Sequence, residues 1–254
     1  MGVMPGSPRV AEVVPLPFEE VIARVPFLRA LARAEQERLR PYSEVRRLGQ
    51  RQAVWSLDDR LLHYTFLLSG HAKLIRPCES GREVILQLAA PGELLCFGAV
   101  SAFSPACCTC VALDEDVLVV MVPRRDVLYI LEQNPAAAAA FVREASSREM
   151  RLGQRIVELS SGHVEQRISG LLLRLADETG APAANGRVKI GVKLSRQDLA
   201  DLCGTTFETT VRTMTKLARD GIVHTLDRGF VVADRARLAA AARGRSSSPC
   251  PDEK

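Results

Sequence analysis

The sequence predicts an α+β chain: a small jelly-roll-like N-terminal β-roll, one long helix and a C-terminal winged helix-turn-helix. Three observations predict it. Apolar residues alternate at period two between about positions 46 and 122. Helical spacing takes over from about Val127 and runs through a 26-residue stretch ending near Ser161. Ser195 to Asp220 then reads SRQDLADLCGTTFETTVRTMTKLARD, two capped helices around a glycine turn.

The elements follow in order. Residues 1–17 carry four prolines and few apolar anchors, so a mobile arm is expected. Phe18–Arg24 and Leu28–Leu39 have helical spacing. Arg46–Leu57, Leu61–Leu68, Ala72–Arg76, Glu83–Leu88, Cys107–Ala112 and Val117–Val122 read as strands. Turn signals at Ser69-Gly70, Glu79-Ser80-Gly81 and Pro91-Gly92-Glu93 divide them. Asp126–Glu132 is a short helix stopped at Asn134-Pro135. From Ala136 to Ser161 a stripe of Phe141, Ala145, Leu152, Ile156 and Leu159 suits pairing with a second copy, or packing on the chain's own roll. Gly162-His163 breaks that helix. Val164–Glu178 is a further helix and Arg187–Val192 an edge strand. Gly221 to Val232 reads as a hairpin turning at Asp227-Arg228-Gly229.

In the helix pair, Ser195 caps the first helix with Asp198 three residues on, and Gly204 makes the turn. Thr205 or Thr206 caps the second, which turns Val211, Met214, Leu217 and Ala218 inward and Phe207, Glu208 and Arg212 outward. Arginine can donate two hydrogen bonds to guanine O6 and N7, and glutamate can accept from cytosine N4. The plainer reading makes Thr205-x-x-Glu208 a capping box and Glu208–Arg212 a surface ion pair.

This run resembles the winged helix-turn-helix of the CRP/FNR family of bacterial transcription regulators, chiefly in Arg196-Gln-Asp-Leu-Ala and Gly204-Thr-Thr-Phe-Glu-Thr-Thr-Val-Arg212. The likeness extends over about Glu19 to Leu238. It implies base reading of a TGA-containing half-site by Glu208 and Arg212, and phosphate contact at Arg196. Ser195, Gln197, Thr206, Phe207, Thr209 and Arg228 complete the expected DNA surface. Phe207 departs from the arginine or small aliphatic residue of well-known members, which leaves the outer base open. The resemblance also implies an effector-sensing roll of cyclic-nucleotide-binding type, a homodimer paired through the long helix, double-stranded DNA and RNA polymerase as partners, and a cytoplasmic setting. Its domains would be the arm 1–17, sensing roll 18–134, dimerisation helix and hinge 135–162, DNA-binding domain 163–242 and disordered tail 243–254.

Composition agrees with a soluble class: 47% apolar, 25% charged, net charge +4. The segment from Arg187 to Arg245 holds twelve Lys/Arg against six Asp/Glu, which suits a polyanion. No signal peptide is evident. The uncharged run Leu94–Leu113 carries Gly, Ser and Pro, so turn and strand are expected there and no membrane span. Seven cysteines, an odd number, point to reduced thiols. No phosphate-cradling glycine loop, nucleophile–base arrangement or paired metal carboxylates suggest an enzyme.

Cyclic-nucleotide members of the family hold their ligand with a Gly-Glu and an Arg-Ser pair. Those positions here are Cys96-Phe97 and Cys107-Cys108. No Lys or Arg occurs between Glu83 and Pro123, where five acids do. A basic group could come from elsewhere in the fold, but a signal other than cAMP or cGMP is expected. Cys96, Cys107, Cys108 and Cys110 fall within fifteen residues. Three readings stay open: small core residues, a thiolate-bound metal or iron–sulfur cluster, or thiol redox chemistry. His63, His71, His163 and His224 are expected to be structural or surface groups. Two alternative functions also remain: an effector module acting on a protein partner, and a cyclic-nucleotide regulator with a remodelled pocket.

Overall fold

The structure is a computed structural model, and it describes residues 11–79, 81–97, 105–160, 162–226 and 229–244. The chain divides into two compact units, Met1–Met150 and Arg151–Lys254.

In the first unit, β1 (Glu12–Val13) precedes three short helices, α1 (Phe18–Arg24), α2 (Pro26–Ala30) and α3 (Arg33–Leu39). Strands β2 (Glu44–Leu48), β3 (Ala53–Trp55), β4 (His63–Ser69), β5 (Ala72–Pro77), β6 (Glu83–Ala89), β7 (Thr109–Ala112) and β8 (Val117–Pro123) follow. They form two antiparallel sheets, ordered β1-β2-β8-β4 and β3-β7-β5-β6. The β-roll expected from period-two alternation is therefore present. Strand β4 explains how it closes. Tyr64, Phe66 and Leu68 point into a core shared with the helices, while Leu67 points into the other core with Trp55, Leu74 and Val119. Successive side chains of a strand face opposite sides, so one strand serves two cores. Gly70 turns β4 into β5 at φ +74°, where an added Cβ would lie 2.9 Å from Val117 Cγ2.

Several boundaries differ from expectation. The helix expected over 28–39 is two helices, because Leu31 is extended (ψ 151°). The Gln36 amide donates to the carbonyls of Leu28 and Leu31 at 3.0 and 3.1 Å, holding the break. The strand expected over 46–57 is likewise two. Arg51 occupies a left-handed turn at φ +67°, which the absence of glycine there concealed. Cys107 and Cys108 precede β7 and are not part of it.

Helix α4 (Arg124–Gln133) leads to α5 (Pro135–Ser160), whose length spans the boundary between the units. The second unit continues with α6 (Val164–Thr179), β9 (Ala181–Pro182), β10 (Val188–Lys189), α7 (Arg196–Cys203), α8 (Phe207–Arg219), β11 (Val223–Leu226), β12 (Gly229–Val232) and α9 (Arg235–Ala242). Its sheet is ordered β11-β12-β10-β9. The strand expected to be an edge is thus internal, and shorter, because β9 covers its free side. The hairpin β11–β12 follows α8 as expected; Asp227 and Arg228 lie outside the described residues. No helix among the described residues is long and apolar enough to cross a membrane.

Candidate nucleic-acid interface

Local hydrogen bonds build α7 and α8. Ser195 Oγ accepts from the Asp198 amide at 3.1 Å, and Asp198 Oδ2 accepts from the Ser195 amide at 2.8 Å. That exchange satisfies two donors that a helix start would otherwise leave unpaired. Gly204 closes α7 in the left-handed region at φ +58°. Thr206, not Thr205, caps α8: its Oγ1 accepts from the Thr209 amide at 3.2 Å. The capping box expected of Thr205 and Glu208 does not form.

The inner face of α8 is Thr210, Thr213, Met214 and Leu217. Val211 is half-buried and Ala218, expected inside, is exposed. Threonines can occupy the inner face because their hydroxyls donate to carbonyls one turn back, Thr210 to Thr206 at 3.0 Å and Thr213 to Thr209 at 2.9 Å.

The outer face carries Phe207, Glu208 and Arg212, of which Phe207 is 45% exposed. Glu208 and Arg212 stand one turn apart. Among the described residues no ion pair joins them; Arg212 Nη2 donates instead to Thr209 Oγ1 at 3.4 Å. Ser195, Arg196 and Gln197 lie at the start of α7, the latter two exposed, with the Gln197 amide on Asp201 at 2.8 Å. Thr215 and Arg219 extend the exposed row of α8. Their 208-212-215-219 spacing is visible in the sequence, where the expected surface stopped at Arg212. Lys216 Nζ meets Glu165 at 2.6 Å and fastens α8 to α6. Arg228 lies outside the described residues. Two short helices, the second offering a carboxylate and a guanidinium to solvent and followed by a hairpin, make the DNA-reading head of a winged helix-turn-helix.

Residues 166–241 match the family described as Crp-like helix-turn-helix domain, and residues 45–134 match the one described as Cyclic nucleotide-binding domain. The chain belongs to the CRP/FNR family of bacterial transcription regulators. The transcriptional activatory protein AadR of Rhodopseudomonas palustris is 27% identical over 216 residues, 84% of this chain and 87% of its own. The CRP-like cAMP-activated global transcriptional regulator of Mycobacterium tuberculosis is 26% identical over 178 residues, 70% of this chain and 78% of its own. The solved structure of FixK2 from Bradyrhizobium japonicum has a TM-score of 0.67 at 17% identity, covering 82% of this chain and 99% of that one; it shares the fold.

In this CRP/FNR chain the effector-binding roll buries Cys96, Cys108 and Cys110 in one apolar core and leaves Cys107 exposed. Of the three readings left open for these thiols, this placement agrees with packing as small core residues. Among the described residues no three His, Cys, Asp or Glu side chains are arranged to hold a metal ion. Burial also changes the acidity of these thiols. It pushes the Cys108 thiol up to about 12, helped by Cys107 and Cys96, and raises Cys110 as well. A thiol that resists ionisation is a slow nucleophile. The Cys108 carbonyl instead accepts from Trp55 Nε1 at 2.9 Å.

One basic side chain of α5 does reach the roll near Cys96-Phe97. Arg148 Nη1 donates to the carbonyls of Leu95 at 3.2 Å and Leu94 at 3.4 Å, and its guanidinium lies 5.5 Å from the centre of the Phe97 ring. No local signal marked that arginine, because its partners lie more than fifty positions earlier.

If the inner thiols serve packing, maleimide is expected to label Cys78 and Cys107 in the native protein, both exposed, while Cys96, Cys108, Cys110 and Cys203 wait for denaturant. Rapid labelling of native Cys108 would contradict it. The pH response has a defined sign. Above the ordinary thiol value of 9.0 the unfolded chain releases protons that buried Cys108 retains up to about 12. Retention in the folded state alone means that stability falls as pH rises from about 9 to about 12. The Tm is expected to fall over that range, and less steeply in Cys108→Val.

The α5 stripe of this CRP/FNR chain also differs from expectation. Phe141 is 9% exposed and packs inward, with ring centres 5.6 Å from Tyr64, 5.8 Å from Phe27 and 5.1 Å from Phe97. Ala145 and Leu159 are half-buried. The exposed apolar residues are Val142, Met150, Leu152, Ile156 and Val157. At about 100° per residue, Val142, Met150, Ile156 and Val157 share a sector of roughly 120° with Ser146 and Gly153. Glu149 also falls within it.

Proposed function

We propose that this regulator acts as a homodimer that reads a palindrome with TGA in each half-site, using Glu208 and Arg212 of α8, and acts on transcription through RNA polymerase. One observation carries the reading. Glu208 and Arg212 lie one helical turn apart on the face of α8 opposite its buried one. Neither is consumed by the other or by a helix cap. A single recognition helix covers few bases, so two held about 34 Å apart give the discrimination one cannot. Val142, Met150, Ile156 and Val157 supply the pairing face on α5. Arg196, exposed at the start of α7, supports a phosphate contact.

The cAMP-activated relative suggests a nucleotide signal, but Cys96-Phe97 and Cys107-Cys108 stand at the family's ligand positions and three of those four groups are at least half-buried in the roll. We therefore assign the roll a signal other than cAMP.

The test is a binding titration of the full-length protein on a duplex carrying a TGA-N-TCA-type palindrome, against a scrambled duplex of equal length. Preference for the palindrome by about a thousandfold or more is expected of a specific regulator. Equal affinity for both duplexes would leave an effector module acting on a protein partner.

A further inference from the structure

The last carbonyls of a helix have no partner within it. In α7 two of them are met from outside. Leu202 O accepts from Arg155 Nη2 at 3.1 Å, and Cys203 O accepts from Arg167 Nε at 3.0 Å. Arg155 lies in the last turns of α5 and Arg167 in the first turn of α6. Arg167 Nη1 also donates to Gly162 O at 3.0 Å, where α5 has ended. Arg174 holds the same region, donating to both oxygens of Glu158 at 2.8 and 2.7 Å. Gly204, the turn into α8, follows immediately, and a Cβ there would sit 3.5 Å from Leu159 Cδ2. Cys203 is buried beside these arginines.

We infer that Arg155 and Arg167 are positioning residues for DNA reading: they cap the C-terminus of α7 and so set the turn that aims α8, without touching DNA. This rests on the assignment of α8 as the reading helix. Two cations at a helix C-terminus also complement its dipole. The arrangement has a mechanical consequence. A rotation of the last turns of α5 is passed to the α7–α8 turn through two guanidiniums as well as through the chain at Gly162. The pairing helix is thereby coupled to the reading helix inside the second unit. Arg167 needs its fork, because it serves two acceptors on different segments; a lysine offers no such planar pair. Arg155 reaches the Leu202 carbonyl through Nη2, a contact that a lysine can approximate.

The experiment measures affinity of full-length protein for the palindrome and for scrambled duplex across a salt series, with wild type, Arg155→Met, Arg155→Lys and Arg167→Lys. Palindrome affinity is expected to fall about tenfold in Arg155→Met and in Arg167→Lys. Affinity for scrambled duplex and the salt slope should stay at wild-type values, and Arg155→Lys should restore most of the palindrome affinity. A residue that touches phosphate would behave otherwise, its removal lowering the salt slope by about one per phosphate no longer neutralised. Wild-type affinity in Arg155→Met and Arg167→Lys, or a reduced salt slope, would overturn the inference. Should Arg155→Met not fold, Arg167→Lys and Arg155→Lys decide by the same criteria. A wild type that ignores the palindrome would instead remove the regulator reading beneath it.

Discussion

Arg212→Ala is expected to abolish palindrome preference while leaving the fold and the dimer intact. Arg212 lies on the outer face of α8, where its guanidinium donates to Thr209 Oγ1 at 3.4 Å. Removing it opens no cavity and orphans no buried group, so stability should change by less than about 0.5 kcal/mol. The base contact is another matter. A bidentate pair discriminates by about 2 kcal/mol, and a dimer makes it twice, so affinity for the palindrome should fall roughly a thousandfold. Scrambled-duplex binding and the salt slope should hold, since every phosphate partner is still in place. Titration of both duplexes against melting curves checks each part. A variant that keeps the preference would take the reading role from Arg212. Glu208→Gln makes a useful companion, because an amide can also donate and should relax discrimination at one base pair while retaining affinity.

Met150→Glu is expected to dissociate the dimer. Met150 is 71% exposed in the isolated subunit and lies with Val142, Ile156 and Val157 in one sector of α5. An unpaired carboxylate at a buried helix pair costs several kcal/mol, so the dimer Kd should rise by at least about a hundredfold. Palindrome affinity should fall with it, since one subunit reads one half-site. Sedimentation velocity would follow the first effect and duplex titration the second. Gln154→Glu supplies the control: the same charge, exposed, on the flank outside that sector. A Met150→Glu protein that remains a tight dimer would move the pairing face elsewhere on the surface.

The cysteine cluster shows what a linear count of thiols leaves undecided. Four thiols within fifteen residues look like ligands when read as a string. In the fold, Cys96, Cys108 and Cys110 are packed among Leu67, Leu74, Leu95 and Val119, and Cys107 faces solvent. Burial makes the inner thiols harder to ionise, which slows their reaction with solution electrophiles.

What the sequence by itself determined was the part held by short-range bonds. The Ser195–Asp198 exchange, the left-handed Gly204, the threonine cap of α8 and the outward placement of Glu208 and Arg212 all involve residues within a few positions of one another. A local pattern contains everything such features require. Only the tertiary structure decided which side of α5 faces inward, because Phe141 turns toward Phe27, Tyr64 and Phe97, partners far along the chain. Periodicity locates an apolar stripe but does not say which of two neighbouring faces another element will claim. The same holds for Arg148 on the Leu94 and Leu95 carbonyls and for Arg155 and Arg167 on the end of α7. Each is one long cation meeting backbone oxygens far away in sequence, and a backbone oxygen leaves no trace in the identity of its residue.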